Sequence, residues 1–226
     1  MTIEIIVPLA SPSYLKDKTP KGIRSYNSDF YLRSILKSRP WSKEIDINYN
    51  FVLIDSKAAR MFTDKYLKSW FPESSCYFCM SALKGCGISS LLPMIHKLDA
   101  EWLIIDLADI EFRMDKFNIH ALDQGIDAYA FVFESNSDKY SYFSVSNDNF
   151  IQYSAEKKVI SKHASCGTYL FKDVSTYIKA LVNILNNEEL MYNGLYYITP
   201  IFNGLIAENK CAKIIKTLTC YDPQIV

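Results

Sequence analysis

The fold of this chain is predicted from one central stretch, Leu103-Ile104-Ile105-Asp106-Leu107-Ala108-Asp109-Ile110-Glu111-Phe112. An apolar run that is cut short by acidic residues is typical of a buried strand that delivers a carboxylate to the edge of a sheet. In open α/β sheets, ligands bind beyond the carboxyl ends of the strands, where Asp109 would lie. A carboxylate there suits a magnesium ion that carries substrate phosphates. The alternative is that Asp109 only caps the next helix or turn.

The segments on both sides of this stretch alternate between strands and helices. Before it, the apolar patterns predict strands at 3–9, 51–54 and 75–80 and helices at 31–37, 58–70 and from 89 onward. After it, they predict strands at 128–133, 142–145, 150–153, 167–171 and 213–215 and helices at 174–186 and 201–208. Strand–helix alternation is typical of a parallel sheet with right-handed crossovers. We therefore predict one α/β domain over residues 1–226, Rossmann-like, with a mixed, mainly parallel central sheet.

Composition argues against several classes of partner. The 226 residues carry 25 basic and 25 acidic side chains, so no electrostatic attraction to nucleic acid or to a membrane surface is predicted. No apolar run reaches the roughly 18 residues of a membrane span. Residues 1–7 lack the basic start of a signal peptide, and the scattered cysteines favour a reducing compartment. We expect a cytoplasmic protein with small-molecule partners, and both a monomer and a homo-oligomer stay open.

Two cysteines have a spacing that could indicate a special site. Cys76 and Cys79 form a CxxC pattern, which zinc sites and redox pairs use. No second pair follows, and the three histidines are not grouped as ligands. Ordinary buried thiols are therefore the favoured interpretation.

Six short motifs in sequence order carry a resemblance to a known family. They are Thr19-Pro20-Lys21, Lys84-Gly85-Cys86-Gly87, Leu107-Ala108-Asp109, Ala155-Glu156-Lys157-Lys158, Cys166-Gly167-Thr168-Tyr169-Leu170-Phe171, and Asn193-Gly194-Leu195-Tyr196-Tyr197 with Asn203-Gly204-Leu205-Ile206. With them, nearly the whole chain resembles the sugar-phosphate nucleotidyltransferases, the family of glucose-1-phosphate thymidylyl- and guanylyltransferases, especially its short capsule-biosynthesis branch. The resemblance implies a GT-A-like nucleotidyltransferase domain, with a nucleotide-binding half at about 1–115 and a sugar-binding half at about 116–226.

The family's reaction gives these motifs their expected roles. A phosphate oxygen of a sugar phosphate attacks the α-phosphorus of a nucleoside triphosphate and pyrophosphate leaves, so the protein mainly aligns groups and neutralises charge. The resemblance implies this transfer onto a sugar or polyol phosphate, giving an activated precursor of a surface polysaccharide. It implies Lys21 and Asp109 as catalytic residues, with Mg²⁺ held by Asp109 and Asp222. The implied nucleotide contacts are Leu9, Ala10, Ser11, Ser13, Gly85 and Gly87, and the implied sugar contacts are Glu156, Lys157, Gly167 and Asn193.

The loop after the first predicted strand departs from the family pattern. Family members have a Gly-rich loop there, whose backbone amides cradle the triphosphate. This chain has Ser11-Pro12-Ser13-Tyr14, which contains no glycine, and Pro12 has no N–H to donate. Two alternatives to an active transferase therefore stay open. One is a catalytically weakened relative that acts as a binding or regulatory subunit. The other is a metal-dependent glycosyltransferase that uses Asp106 and Asp109 as a D-x-D-like pair.

Overall fold

A nine-stranded sheet forms the centre of the molecule. The structure is a computed structural model that describes residues 2–11, 21–42, 47–81, 83–114 and 116–223. The sheet contains β1 (Ile3–Pro8), β4 (Ile47–Ile54), β5 (Ser75–Cys79), β6 (Trp102–Asp106), β8 (Ala128–Glu134), β9 (Tyr142–Val145), β10 (Ile151–Ala155), β11 (His163–Phe171) and β12 (Ala212–Lys216). Short strands form two further pairs, β2 (Ser25–Tyr26) with β3 (Asp29–Phe30) and β7 (Glu111–Arg113) with β13 (Thr219–Tyr221).

The direction of the strands divides the sheet into two parts. Neighbouring strands β5, β4, β1 and β6 are all parallel, and they come from the first half of the chain. Strand β11 then runs antiparallel to β6, β8 and β9, while β10 runs antiparallel to β9. Because β12 is parallel to β8, only β10 and β11 oppose the direction of the other strands of this sheet. The predicted mixed, mainly parallel α/β fold is confirmed.

Helices cover both faces of this sheet. They are α1 (Tyr31–Lys37), α2 (Lys57–Phe62), which continues through a π-helical turn (Thr63–Leu67) into α3 (Lys68–Trp70), then α4 (Cys86–Ser89), α5 (Leu91–Met94), α6 (Val174–Ile184) and α7 (Ile201–Ala207). Successive strand residues point to opposite faces, so Ile5 and Ile104 pack with α1 whereas Ile6 and Ile105 pack with α6 and α7. Both faces are therefore buried, which explains the continuous apolar runs of the parallel strands.

The structure shifts several predicted boundaries. The helix predicted from residue 89 already begins at Cys86. The strand predicted from residue 167 begins at His163. A polar residue such as Ser165 fits into this buried strand because its hydroxyl donates to the Tyr169 hydroxyl and accepts from the Gly167 N–H. The strand predicted at 213–215 is β12, and the structure adds one further short strand, β13, after it.

The two cysteines of the CxxC pattern point to opposite faces of the edge strand β5. Cys76 packs in the α1-side cluster and Cys79 in the α6-side cluster. An odd spacing on a strand has this result, so the pair cannot chelate one ion or act together as a dithiol. Burial raises the pKa of both thiols, as expected for ordinary core cysteines. Among the described residues, no helix is long and apolar enough to cross a membrane.

Candidate functional site

A tight turn after β6 carries Asp109 into a cavity. The strand ends at Asp106, and Ala108 then adopts a left-handed φ of 52°. The Leu107 N–H donates to the carbonyl of Gly167 at 2.9 Å, and the Ala108 N–H donates to Asp106 Oδ1 at 2.9 Å. The carboxylate that reaches the cavity therefore comes three residues after the strand and is not the one at its end.

The two residues predicted as catalytic, Lys21 and Asp109, lie against each other. The Lys21 ammonium donates to Asp109 Oδ1 at 2.6 Å, although 88 positions separate the residues. The Lys21 side chain is 15% exposed and that of Asp109 is 44% exposed, so the pair lies at a water-accessible edge. Tyr31 supports both partners: its hydroxyl donates to the Asp109 carbonyl at 2.8 Å, and its ring centre lies 4.8 Å from the Lys21 nitrogen.

The cavity next to this ion pair has a volume of about 650 Å³. Its walls come from six separate parts of the chain: the turn after β6 (Leu107, Asp109, Ile110), the segment Asp138 to Ser141, Glu156 with Lys157, alternate residues of β11 (Ser165, Gly167, Tyr169), the segment with Tyr192, Tyr197 and Ile198, and Asp222. The volume is within the range of small-molecule binding sites.

Asp222 reaches the cavity through the C-terminal strand. Strand β13 pairs with β7, which follows the Asp109 turn directly, so the two carboxylates of Asp109 and Asp222 line the same space. The Tyr140 hydroxyl donates to Asp222 Oδ2 at 2.9 Å. Within the described ranges, no group of three His, Cys, Asp or Glu side chains forms a ready-made metal cluster. Magnesium is commonly held by one or two carboxylates together with substrate phosphates and water, so this pair fits such a site.

Three of the four predicted sugar contacts line this cavity. The Ser141 hydroxyl donates to Glu156 Oε2 at 2.5 Å, and burial raises the pKa of the Glu156 carboxyl. The Lys157 ammonium donates to the carbonyl of Lys139. Gly167 has a φ of +74°, and a Cβ there would lie 3.4 Å from Leu107.

The fourth predicted sugar contact, Asn193, lies elsewhere. It is exposed and does not line the cavity. With Gly194 it forms the tip of a turn that pairs Tyr192 with Leu195, and both tip residues have positive φ, 51° and 71°. Asn-Gly is the preferred sequence for such a turn, so the turn itself accounts for the motif.

The predicted nucleotide contacts are only partly available. Leu9 and Ala10 are buried at the end of β1, Ser11 is exposed, and Ser13 lies outside the described residues. Gly85 and Gly87 have a structural reason to be glycine. A Cβ would lie 2.4 Å from the Tyr196 carbonyl oxygen at Gly85 and 3.0 Å from it at Gly87, and the Gly87 N–H donates to that oxygen at 2.9 Å. The Gly87 amide is therefore not available to a phosphate.

Asp106 has a different role from the one that a D-x-D-like pair requires. Its side chain is completely buried and forms a two-pronged ion pair with Arg39, whose Nε and Nη2 donate at 2.6 and 2.8 Å. It also accepts from the Ala108 N–H and from the Thr168 hydroxyl at 3.3 Å. These partners occupy its oxygens, so the prediction that Asp106 and Asp109 together bind a metal is wrong.

Sequence reasoning missed Arg39, which follows α1 in a polar segment. The only available signal was the acid at 106 inside an apolar run, because a buried carboxylate requires a cationic partner.

A change at Glu156 has a predictable effect on stability. Because burial raises its folded pKa above that of the unfolded chain, the folded protein binds the proton more tightly. The free energy of unfolding contributed by this group therefore falls as pH rises through the window above the ordinary pKa of glutamate. We expect Glu156→Gln to remove this fall. The variant should then be more stable than the parent at neutral pH, and the difference should disappear near pH 4. Urea unfolding at several pH values between 4 and 8 measures this.

The matched control for this experiment is Glu134→Gln. Glu134 pairs with Lys162, which lowers the pKa of its carboxyl, so its effect has the opposite sign. Parallel stability–pH curves for Glu156→Gln and the parent would contradict a raised pKa of the Glu156 carboxyl.

Comparison with known proteins identifies the fold. No protein-family model and no curated protein sequence matches the chain. Among solved structures, the nucleoside-diphosphate-sugar pyrophosphorylase from Vibrio cholerae RC9 is 17% identical, with a TM-score of 0.77 over 97% of this chain and 94% of that one. A UDP-glucose pyrophosphorylase complexed with UDP-glucose is 16% identical, with a TM-score of 0.70 over 98% and 93%. The inositol-1-phosphate CTP transferase from T. maritima is 10% identical, with a TM-score of 0.69 over 100% and 91%. The chain therefore has the fold of these solved sugar-nucleotide pyrophosphorylases and of the CTP transferase, as the motif resemblance predicted.

Proposed function

We propose that this protein transfers a nucleotidyl group from a nucleoside triphosphate to a sugar or polyol phosphate and releases pyrophosphate. The observation that carries the proposal is the Lys21–Asp109 ion pair at the edge of a cavity that also contains Asp222 and Glu156. The shared fold with pyrophosphorylases and a CTP transferase supports it. The cavity has room for both a nucleotide and a phosphorylated sugar.

The reaction asks for alignment and charge neutralisation. The acceptor phosphate is already an anion, so the protein need not supply a nucleophile or activate one. In the free protein, Lys21 is held on Asp109. We infer that bound phosphates draw the Lys21 ammonium to themselves, which places a cation on the transferring phosphoryl group and breaks its ion pair with Asp109. Asp109 and Asp222 would hold Mg²⁺, which supplies charge neutralisation at the phosphates when bound.

The second half of the cavity is proposed to hold the acceptor. Glu156 would accept hydrogen bonds from sugar hydroxyls, Gly167 would allow close approach of the backbone, and Lys157 would face the phosphate. The rings of Tyr192 and Tyr197 lie 6.1 Å apart in an edge-to-face arrangement on the same wall and offer an apolar surface to a sugar ring. We also propose a nucleotide half at about 1–115 and a sugar half at about 116–226, with Asp222 of the second half contributing to the metal site. From the capsule-branch resemblance we also propose that the product is a precursor of a surface polysaccharide, made in the cytoplasm.

The proposal is tested by ligand screening followed by turnover. Thermal unfolding would be followed with CTP, UTP, GTP, ATP and dTTP, each with and without Mg²⁺, and then pyrophosphate would be measured on adding a panel of sugar and polyol phosphates. We expect one triphosphate to stabilise the protein only with metal, and pyrophosphate and nucleotide sugar to form in equal amounts.

Three other results would overturn the proposal. Triphosphate binding without pyrophosphate release for any acceptor would favour the binding-subunit alternative. Transfer from a nucleotide sugar with release of a nucleoside diphosphate would make the protein a glycosyltransferase. A protein that responds to none of these ligands is not a nucleotidyltransferase.

A further inference from the structure

We propose that Arg39 is a positioning residue, which fixes the turn from Leu107 to Ile110 and so holds Asp109 in the geometry that the site needs. The inference deepens the proposed function, and its effect on turnover rests on that function. Arg39 is completely buried and does not line the cavity, so it acts through the turn and not on a ligand.

The guanidinium of Arg39 holds both ends of the turn. Its Nε and Nη2 bind the carboxylate of Asp106 on one side of Asp109, and its Nη1 donates to the carbonyl of Ile110 on the other side at 2.8 Å. The planar group also lies over the ring of Phe112, with its central carbon 4.4 Å from the ring centre. A rigid fork with several donors can make these contacts at once, whereas the single ammonium of lysine cannot.

Helix α1 makes the turn part of a larger rigid unit. Tyr31, at its first residue, donates to the carbonyl of Asp109, and Arg39 follows its C-terminal end. The helix itself thus contacts the turn at residue 109, Arg39 just beyond the helix binds residues 106 and 110, and the Leu107 N–H is bound to β11. Each of these contacts is to the backbone or to Asp106, which leaves the side chain of Asp109 directed at Lys21.

The backbone of the turn explains why such a support is required. Ala108 has a φ of 52°, a conformation that costs an L-residue about 1–2 kcal/mol. Glycine would avoid this cost, but the chain has alanine and therefore depends on contacts that outweigh the cost. The bonds of Asp106 to the Ala108 N–H and of Arg39 to Asp106 and Ile110 are contacts of that kind.

A role in stability alone does not explain this ion pair. Replacement of a buried pair by apolar residues is often neutral or stabilising, because desolvation opposes the attraction between the charges. Loss of one partner, in contrast, leaves an unpaired buried charge. A variant that removes both charges and keeps the local bond between residues 106 and 108 therefore separates positioning from stability.

The experiment compares Arg39→Met/Asp106→Asn and Arg39→Lys with the parent protein. The amide oxygen introduced by Asp106→Asn can still accept the Ala108 N–H, so the double variant loses the bridge to Ile110 without leaving a buried charge. We expect kcat to fall about 100-fold, because small displacements of a reacting group cost about that much. The KM for the sugar phosphate should stay within about threefold, since Glu156 and Lys157 are untouched. Arg39→Lys should keep the fold and give an intermediate kcat.

The matched control is Glu4→Gln/Lys97→Met. It removes a second largely buried ion pair, in which the Lys97 nitrogen lies 3.2 Å from Glu4 Oε1 near the start of β1. We expect kcat to stay within about twofold of the parent, whichever way the stability of this variant changes. A double variant at 39 and 106 with kcat within about twofold of the parent would overturn the positioning role.

A second measurement does not depend on turnover. Hydrogen exchange of the amides at 107–111, normalised to amides of α6, should be at least about tenfold faster in the double variant, because local opening would no longer be opposed by the bridge. Unchanged normalised exchange would overturn the inference even if kcat fell. If the parent protein shows no turnover with any substrate, the proposed function fails, and exchange alone decides the role of Arg39.

Discussion

Asp109→Asn is expected to lower kcat/KM for pyrophosphate release by about 100- to 1,000-fold, the range seen when one group that stabilises transition-state charge is removed. Asparagine keeps the size of the side chain and an acceptor oxygen, but it carries no charge to offset Lys21 or to hold a divalent cation. The variant should still fold, because the ion pair is partly exposed, with Asp109 at 44%, and such pairs contribute about 0–1 kcal/mol. Turnover at increasing Mg²⁺ should show a raised metal requirement.

Lys21→Met should give a loss of similar size for a different reason. It removes the cation that is proposed to move onto the phosphates, while the methionine stem can still pack against Tyr31. If both residues act on the same phosphates, the kcat/KM of the double variant will be about equal to that of the less active single variant, because the effects of groups that act as a unit are not additive.

The control for both variants is the exposed pair Asp64 and Lys68 on the α2–α3 segment. Asp64→Asn and Lys68→Met should leave kcat/KM unchanged. Activity within about threefold of the parent in either site variant would exclude that residue from the chemistry.

The sequence predicted the position of Asp109, but not the residues that hold its backbone in place. An apolar run followed by an acid is a local pattern, and the Pro-Lys motif placed Lys21 without any knowledge of the contact between them. Arg39 could not be found in this way, because its partner lies 67 positions away and nothing local distinguishes it from a solvated arginine. Positioning residues act through tertiary contacts, which a single sequence does not show.

The structure gives some of the motif residues a backbone role that the sequence did not predict. Gly85 and Gly87, which were predicted to contact nucleotide, lie against the backbone of Tyr196: a Cβ would be 2.4 Å from its carbonyl oxygen at Gly85 and 3.0 Å at Gly87. Asn193, which was predicted to contact sugar, forms the tip of a turn and does not line the cavity. In each case the backbone conformation or a close backbone contact favours this residue type. A ligand that approaches the backbone closely would favour the same residue type. Sequence alone cannot separate these two requirements.

Gly204 is a motif residue whose structural reason leads to a strong prediction. In an isolated helix, Gly→Ala stabilises by about 1 kcal/mol. Here a Cβ on Gly204 would lie 1.9 Å from the carbonyl oxygen of Ala180, where α7 crosses α6. The neighbouring atom belongs to the backbone, so no side-chain rotation relieves the clash and the helices must move apart. We therefore expect Gly204→Ala to lower the free energy of unfolding by about 3 kcal/mol, at the upper end of overpacking effects.

This displacement should also reach the site. Asn203, next to Gly204, accepts from the Ser154 N–H at 2.8 Å and donates to the Ser154 carbonyl at 2.9 Å, and Ser154 lies two residues before Glu156. A shift of α7 thus moves the strand that presents Glu156, and the KM for the sugar phosphate should rise more than kcat falls. Urea unfolding and steady-state kinetics would be compared with Ser175→Ala, an exposed change in the first turn of α6 that should stay within about 0.5 kcal/mol of the parent. A Gly204→Ala protein as stable as the parent would mean that α6 and α7 do not pack this closely, and the link between the helix crossing and Glu156 would fail with it.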